Sequence, residues 1–516
     1  MIRVAIVGAG PKGLFAAERL AAHLTVSDAA ASITVFDPQP PGWGAGYDAD
    51  QPHWLRLNVN AAIVDMDGGR NTGVSLGLPD FAEWRRGTGE TEPLDPFPPR
   101  ATVGHYLAHC WGQLLDRVPA RVRLRHVARR VDRLDAIGDG WLIDHEYYDE
   151  VLMCTGHAQD WPGALRHGWA GPAPLVPQVY PVRTWLTTAA VPAGCTVVCR
   201  GAALTFIDAC LSLTEGRDGR FDRNGYRRSG AEPSRIVPVA RRGGFMEVKP
   251  QPDGPLAALP LEQFRRRGLA RCAEAGGQVD VVLAAVWQTA GDYLCVAAGG
   301  AVSVPPVGVV PPPDDDPVTA LRRSLRVAMG ECRPGLAWAL GQAWRDLYSG
   351  VVRALGHQQV TQSAWSSFAS AAAALEPIAF GPPPVNAAKL LALCDAGLVD
   401  ASFLAGRWSD ALHDADVVID CVLPPPGLVE GELAADLMER GLVAKAAGRR
   451  GVSVAPDATC LTSDGTPIGG LAALGRLTED VVIGNDTLSR TLHPSAARWA
   501  QRVDARCASV VVGGGR

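Results

Sequence analysis

Gly8, Gly10 and Gly13 fall in the run Val4-Ala-Ile-Val-Gly-Ala-Gly-Pro-Lys-Gly-Leu14, a spacing suited to holding a pyrophosphate. Gly8 permits a tight turn, Gly10 lets the main chain approach phosphates, and Gly13 allows a helix to pack against the preceding strand. Pro11 and Lys12 complete the turn, after which the helix N-terminus presents unpaired amides to an anion. The strand-like run Ile33-Thr-Val-Phe ends in Asp37, whose carboxylate can accept both ribose hydroxyls of an adenosine. Pro38 then opens a loop in which Gly42, Gly44 and Gly46 give the backbone freedom beside a flat or charged ligand. A glycine turn without any ligand is the plain alternative. The apolar strand before it, the amphipathic helix after it (Leu14, Ala17, Leu20, Ala21, Leu24) and the acid closing the next strand favour a bound dinucleotide.

Further along, Glu150-Val-Leu-Met-Cys-Thr-Gly-His157 reads as a buried strand ending in Thr155 and Gly156, where the backbone can turn beside the same cofactor. His157 either touches flavin or substrate or is a loop histidine satisfied by its neighbours. A second strand, turn and helix occupy residues 194–208, with Gly201 at the first glycine position and Ala203 at the second. The Ala203 methyl group would crowd an approaching pyrophosphate, so this unit is either a nicotinamide site, with Gly201, Ala203 and Thr205 as contacts, or a repeat of the fold without a ligand. The strand Arg235–Ala240 runs into Arg241 and Arg242, where two guanidiniums can meet a 2′-phosphate, which favours NADPH over NADH. Asp486, after an apolar run ending at Gly484, suits either contact with the ribityl chain or ring edge, or a helix N-cap.

These residues need elements to hold them. The alternation of strand and helix patterns predicts an α/β protein with two Rossmann-like dinucleotide-binding domains, for FAD and NADPH, and a helical subdomain. The expected division is 1–170 for the first part of the FAD domain, 171–316 for the NAD(P)H domain, 317–380 for the helices and 381–516 for the closing part of the FAD domain. Within the first part, Trp54–Asn60 has strand character, Val122–Val127 reads as a strand whose Val127 joins the FAD contacts, and a hairpin runs through Ile137–Trp141. The Pro-rich residues 301–317 read as a stiff connector. Leu336, Leu340, Ala343, Leu347 and Val351 recur at helical spacing, with Trp338, Trp344 and Trp365 as packing residues. Residues 416–421 and 475–484 read as strands, the second followed by a helix.

Composition narrows the field. A length of 516 residues suits about three domain-sized units. A net charge of -5 without a basic arm offers no broad attraction for nucleic acid or anionic membrane, so small-molecule partners are expected. No apolar run is expected to reach transmembrane length, nothing before the first strand reads as a targeting peptide, and a cytoplasmic location is expected. Twelve scattered cysteines without a CxxC pair read as buried reduced thiols. His105, His109 and Cys110 share a helix pattern but lack a further ligand, so no metal is expected. Gly73-Val-Ser-Leu-Gly77 matches a nucleophile elbow, yet it lacks the strand before and the helix after that would make one.

Taken together, the chain resembles the two-dinucleotide-domain FAD/NAD(P)-binding oxidoreductases, and particularly a bacterial branch related to flavin-dependent N-hydroxylating monooxygenases. The resemblance rests on residues 8–13, Leu-Asn-Val (57–59), Pro-Pro-Arg-Ala-Thr-Val-Gly-His-Tyr-Leu (98–107), Cys-Thr-Gly-His (154–157), Leu-Thr-Phe-Ile-Asp (204–208) and Phe-Gly-Pro-Pro-Pro (380–384). It implies that NADPH reduces FAD and that a flavin C4a-hydroperoxide, formed with molecular oxygen, passes an oxygen atom to an amine or amino acid. It further implies that Asn58 or Asn60 reaches the flavin or nicotinamide and that Arg100 binds a carboxylate or phosphate. Some members oxidise amino groups of small amino acids, aspartate included, in antibiotic pathways. A flavin-dependent oxidase or dehydrogenase, and a non-catalytic FAD/NAD(P)-binding protein with a degraded nicotinamide site, remain alternatives, and self-association stays open.

Overall fold

The computed structural model describes residues 1–70, 72–89, 94–303, 305–311 and 316–513. Its first strands, β1 (Ile2–Val7) and β2 (Ala31–Phe36), are almost wholly buried, because helices or other strands cover both faces of the sheet they enter. They pair in parallel from Ile2 opposite Ala31 to Val7 opposite Phe36. β3 (Val122–Val127) extends the sheet beyond β2. A small antiparallel meander of β4 (Asp135–Ile137), β5 (Gly140–Ile143) and β6 (Glu146–Tyr148) then leads into β7 (Glu150–Met153), which returns parallel to β1. Helices Pro11–Ser27, Arg100–Arg117 and Ser495–Gly513 share one apolar core with this sheet.

A second sheet forms downstream. It is built from β8 (Leu175–Val176), β9 (Thr196–Arg200), β12 (Arg235–Val239) and β13 (Val417–Asp420) in the order β12-β9-β13-β8, all parallel. The hairpin of β10 (Arg220–Asp222) and β11 (Gly225–Arg227) stands beside it. The chain then returns to the first sheet through β14 (Thr459–Leu461) and β15 (Pro467–Ala473), which complete the order β14-β15-β7-β1-β2-β3.

Several elements differ from the sequence expectation. Trp54–Asn60 forms no strand, because the segment beside it is Pro96-Phe-Pro-Pro99, whose prolines accept hydrogen bonds but cannot donate them. Leu57 N donates to Pro98 O at 2.9 Å and Ala61 N to Pro96 O at 2.9 Å, and no ladder can grow from there. Residues 475–484 form a short 3-10 helix, Gly475–Thr478, followed by turns through Asp480, whose φ is +70°, and no helix begins before Ser495. The place beside β7 belongs to β15, which two glycines had masked. A Cβ at Gly470 would lie 2.4 Å from Asp149 O, so the close approach of that strand demands glycine.

The closing part expected from 381 onward is likewise shared between the sheets, since β13 pairs with β9 while β14 and β15 join the first sheet. The helical body differs too. It packs Glu262–Glu274, Val279–Ala298, Leu336–Leu355 and Gln362–Ala379 around one core containing Trp338, Trp344 and Trp365, whereas Pro317–Ala328 contributes to the core of the second sheet. Val279–Ala298 is 20 residues long with a mean hydropathy of 1.4, long and apolar enough to cross a membrane, contrary to expectation. Here it is a packing helix of that core. Residues 312–315 of the connector lie outside the described residues.

Candidate cofactor crevice and active site

The two glycine turns repeat one another closely. Gly8 has φ +102° and donates to Phe36 O at 2.8 Å; Gly201 has φ +100° and donates to Val239 O at 2.8 Å. Cys154 N bonds Val7 O at 2.7 Å, and Cys421 N bonds Arg200 O at 3.0 Å. Each turn therefore sits at the carboxyl end of a parallel sheet, where ligands of open α/β sheets bind. The helices they open, Pro11–Ser27 and Leu204–Leu213, have no side-chain cap, so their first-turn amides are left for an anion.

The first turn fits a dinucleotide. A Cβ at Gly13 would lie 1.9 Å from Gly8 O, and one at Gly8 would lie 2.6 Å from Cys154 O, so both positions require glycine. Gly42 N donates to Ala9 O at 2.7 Å, which lays the loop after Pro38 along the turn and brings Gly44 against Gly10. Gly46 and Gly156 border open space. Asp37 accepts from Ala9 N at 2.7 Å and from Gln39 N at 2.8 Å, which fixes its carboxylate while leaving lone pairs for ribose hydroxyls. Val127 O accepts from Asp37 N at 3.2 Å and closes the adenosine end. Thr155, half-buried, follows Cys154 out of β7.

From Lys12 a continuous wall leads away from the turn. Its ammonium donates to Thr487 O at 2.7 Å, and burial, set against the attraction of Asp486, lowers its pKa to about 8. Asp486 is 67% exposed, stands 4.0 Å from Arg476 and caps no helix. Next along the wall is Gly484, where an added Cβ would lie 2.7 Å from the Tyr348 ring. Tyr348 meets Phe380 edge to face at 5.4 Å, and Lys249 Nζ stands 5.6 Å from the Phe380 ring centre. The Lys249 ammonium ends the wall by donating to Asn58 O. Asn60, two residues on, accepts from Ala62 N at 2.9 Å and caps a short 3-10 helix.

Charge is distributed unevenly along this wall. Glu376 and Glu479 act on one another's side of the crevice together with Asp486; burial and those two neighbouring carboxylates raise Glu376 to about 7. His157 shows an exposed edge to the crevice, but protein on its other sides and the charge of Arg476 hold the imidazole neutral, with its pKa down to about 4.

Arg100 is engaged elsewhere. Its Nη2 lies 2.6 Å from Asp208, and Tyr180 donates to the same carboxylate. In the second unit, Ala203 is exposed at the N-cap and Thr205 is buried in the first turn of the helix. Arg241 is exposed in the turn after β12, while Arg242 donates to Ala373 O on the helix Gln362–Ala379. Among the described residues no His, Cys, Asp and Glu group could hold a metal, and Ser75 of the elbow-like run donates to Asp67.

Sequence reasoning passed over Lys249, Arg345, Tyr348 and Glu376. A signal existed in composition. The chain has four lysines among 49 basic residues, and two of the four, Lys12 and Lys249, stand along the crevice wall.

Two matched glycine turns, each at the carboxyl end of parallel strands, with a helical body beside them, define an α/β fold with two Rossmann-like dinucleotide-binding units. Residues 5–158 match the family described as FAD-NAD(P)-binding. The chain is similar to an L-aspartate N-monooxygenase (nitrosuccinate-forming) of Streptomyces cremeus, 30% identical over 291 residues, covering 47% of this chain and 42% of the relative. It is also similar to a nitrosuccinic acid synthase of Aspergillus oryzae, 31% identical over 268 residues, covering 46% and 40%. The chain thus spans less than half the length of these relatives. Among solved structures, L-lysine 6-monooxygenase of Pseudomonas syringae aligns over 99% of both chains at 14% identity, with a TM-score of 0.48.

Proposed function

We propose that this protein is an NADPH-reduced, FAD-dependent monooxygenase that N-hydroxylates a small amino acid, with L-aspartate the first substrate to test. The observation that carries this reading is the unbroken chain of contacts from Lys12 at the pyrophosphate turn to Asn58, which passes Asp486 and Tyr348 and ends at Lys249. Similarity to the aspartate N-monooxygenase supports the substrate class. Bound FAD supplies the redox chemistry, taking reducing equivalents from NADPH and activating oxygen.

The chain's own residues do the rest. Asp37 holds the ribose, the amides after Gly10 hold the pyrophosphate, and Lys12 adds a cation at that end. Arg241 and Arg242 meet the 2′-phosphate of NADPH at the second turn. Glu376 and Asp486 attract the substrate ammonium. An amine attacks only when it has lost a proton, and a carboxyl raised to about 7 is matched to take one near neutral pH, which assigns that role to Glu376. The helical body keeps water from the reacting end of the crevice.

The test is NADPH-dependent oxygen uptake by FAD-loaded protein with L-aspartate, together with assay of the hydroxylamine and of hydrogen peroxide. Hydroxylated amino acid formed in step with NADPH use supports the reading. Peroxide with no hydroxylated product, across a panel of amino acids, would make the protein an oxidase.

A further inference from the structure

Lys249 and Arg345 stand on either side of Ala379-Phe380. The Lys249 ammonium lies 5.6 Å from the Phe380 ring centre, and Arg345 Nη1 donates to Ala379 O at 2.8 Å. Both groups are drawn together by the fold, since Lys249 N also donates to Pro382 O at 3.0 Å, just past the same turn. Lys249 is 8% exposed, and neither cation forms an ion pair among the described residues. The acids near them in sequence are engaged: Glu247 accepts from Ser324, and Asp346 accepts from Tyr293 and Gln342.

Two neighbouring cations, Lys249 buried and Arg345 half-buried, oppose each other and lose hydration, and the Asp346 charge offsets this only in part and only for Arg345. Burial and the Arg345 charge accordingly lower Lys249 to about 7, and burial, against the pull of Asp346, lowers Arg345 to about 10. Donors remain unspent as well. Lys249 has three N–H bonds and gives one to Asn58 O; Arg345 has five and gives single bonds to Ala379 O and Gln342 Oε1. An anion placed between them would supply the missing charge and accept those donors.

We propose that Lys249 and Arg345 form a carboxylate-binding subsite at the far end of the crevice wall, which seats the carboxylate of the substrate while Glu376 and Asp486 face its amino group. The subsite rests on the reading of the crevice as the site of an amino acid. It gives that reading a polarity, with cations beside Phe380 and acids beside Tyr348, matching the two ends of a zwitterion. Lys249 then has two duties, since the bond to Asn58 O also fixes the loop at the wall's end.

The test is equilibrium binding to FAD-loaded protein, followed by calorimetry, of three probes: succinate, a dicarboxylate without an amine; propylamine, an amine without a carboxylate; and NADP+. Lys249→Gln keeps a donor for Asn58 O and loses the charge, and Arg345→Gln does the same for Ala379 O. Each should weaken succinate about tenfold or more, while NADP+ affinity and flavin content hold. Arg345→Lys should recover part of the loss. Unchanged succinate affinity in both variants overturns the proposal, and so does a loss confined to NADP+, which would give the pair to a cofactor phosphate.

The wild-type protein supplies a second measurement that needs no variant. A carboxylate beside Lys249 draws a proton onto it, so succinate binding near pH 7.5 should take up protons, seen as a dependence of binding heat on buffer ionisation enthalpy. Absence of uptake counts against the subsite. Failure of the two readings is distinguishable. Equal hydroxylation of propylamine and aspartate leaves the monooxygenase standing and removes the subsite, whereas protein that binds succinate through these residues but takes up no FAD does the reverse.

Discussion

Arg100 Nη2 lies 2.6 Å from Asp208 Oδ2, so the helix Arg100–Arg117 of the first unit is tied to the helix Leu204–Leu213 that the second glycine turn opens. Asp208 is 2% exposed, and burial raises its carboxyl pKa against the pull of Arg100. Burial acts to lower Arg100, but Asp208 together with Tyr180 and Tyr47 outweighs it and keeps the guanidinium protonated. The pair fixes how the two dinucleotide turns face each other. It also removes Arg100 from the substrate-binding role implied by resemblance, since its charge is spent inside the protein.

Arg100→Leu should destabilise the protein by about 3–5 kcal/mol, because it leaves Asp208 buried without its partner. The loss should shrink as pH falls, since a carboxyl with a raised folded pKa escapes the penalty on protonation. Urea denaturation at pH 5 and pH 8 reads both effects. The double variant Arg100→Leu, Asp208→Leu should recover much of the stability at pH 8; equal loss in single and double variants would mean that the pair is not what holds the units together.

Gly10→Asp should abolish flavin binding. A side chain there meets Gly44 Cα at 3.6 Å and places a negative charge where the proposed site would receive the pyrophosphate. Protein that purifies yellow with this change would move the FAD site elsewhere.

Ala203→Gly should lower the Michaelis constant for NADPH. The methyl group is exposed at the mouth of the second turn, and glycine at an N-cap is also better tolerated than alanine, so no stability loss should obscure the kinetics. No change in the constant would show that the phosphates lie off the turn.

Arg241→Ala should narrow the preference for NADPH over NADH more than Arg242→Ala, because Arg242 also docks on Ala373 O whereas Arg241 is exposed in the turn. Replacing both should erase the preference. Steady-state kinetics with the two nucleotides decides the matter.

Lys249→Met should change the pH dependence of stability in the absence of ligand. With its folded pKa near 7 and an ordinary unfolded value of 10.5, the lysine binds its proton only in the unfolded state between those limits, so wild-type stability should rise with pH across that window. The variant lacks this rise. Below pH 7 the folded wild type must bury the charge beside Arg345, and there the variant should be relatively most stable; parallel stability curves would contradict the buried state of this lysine.

Residues close in sequence carry much of this protein openly. Gly8, Gly10, Gly13 and Asp37 announced a dinucleotide turn because turn, helix start and strand end are local features whose chemistry depends on near neighbours. The match between Gly201 and Gly8 was legible for the same reason. Strand Pro467–Ala473 was not, since Gly469 and Gly470 look like a loop until β7 is seen pressing against them. Nor was the non-strand at Trp54–Asn60, whose alternation is sound but whose neighbours turn out to be prolines.

What the chain determined by itself is therefore the two glycine turns, each placed after a strand and before a helix. Tertiary structure alone decided which charges cancel and which remain. Arg100 and Asp208 lie 108 positions apart and neutralise each other, while Lys249 and Arg345, nearly as far apart, are brought to Phe380 and Ala379 with no ion pair of their own among the described residues. Electrostatic energy depends on distance and surrounding dielectric, and neither is encoded in the spacing of residues along a chain until it folds.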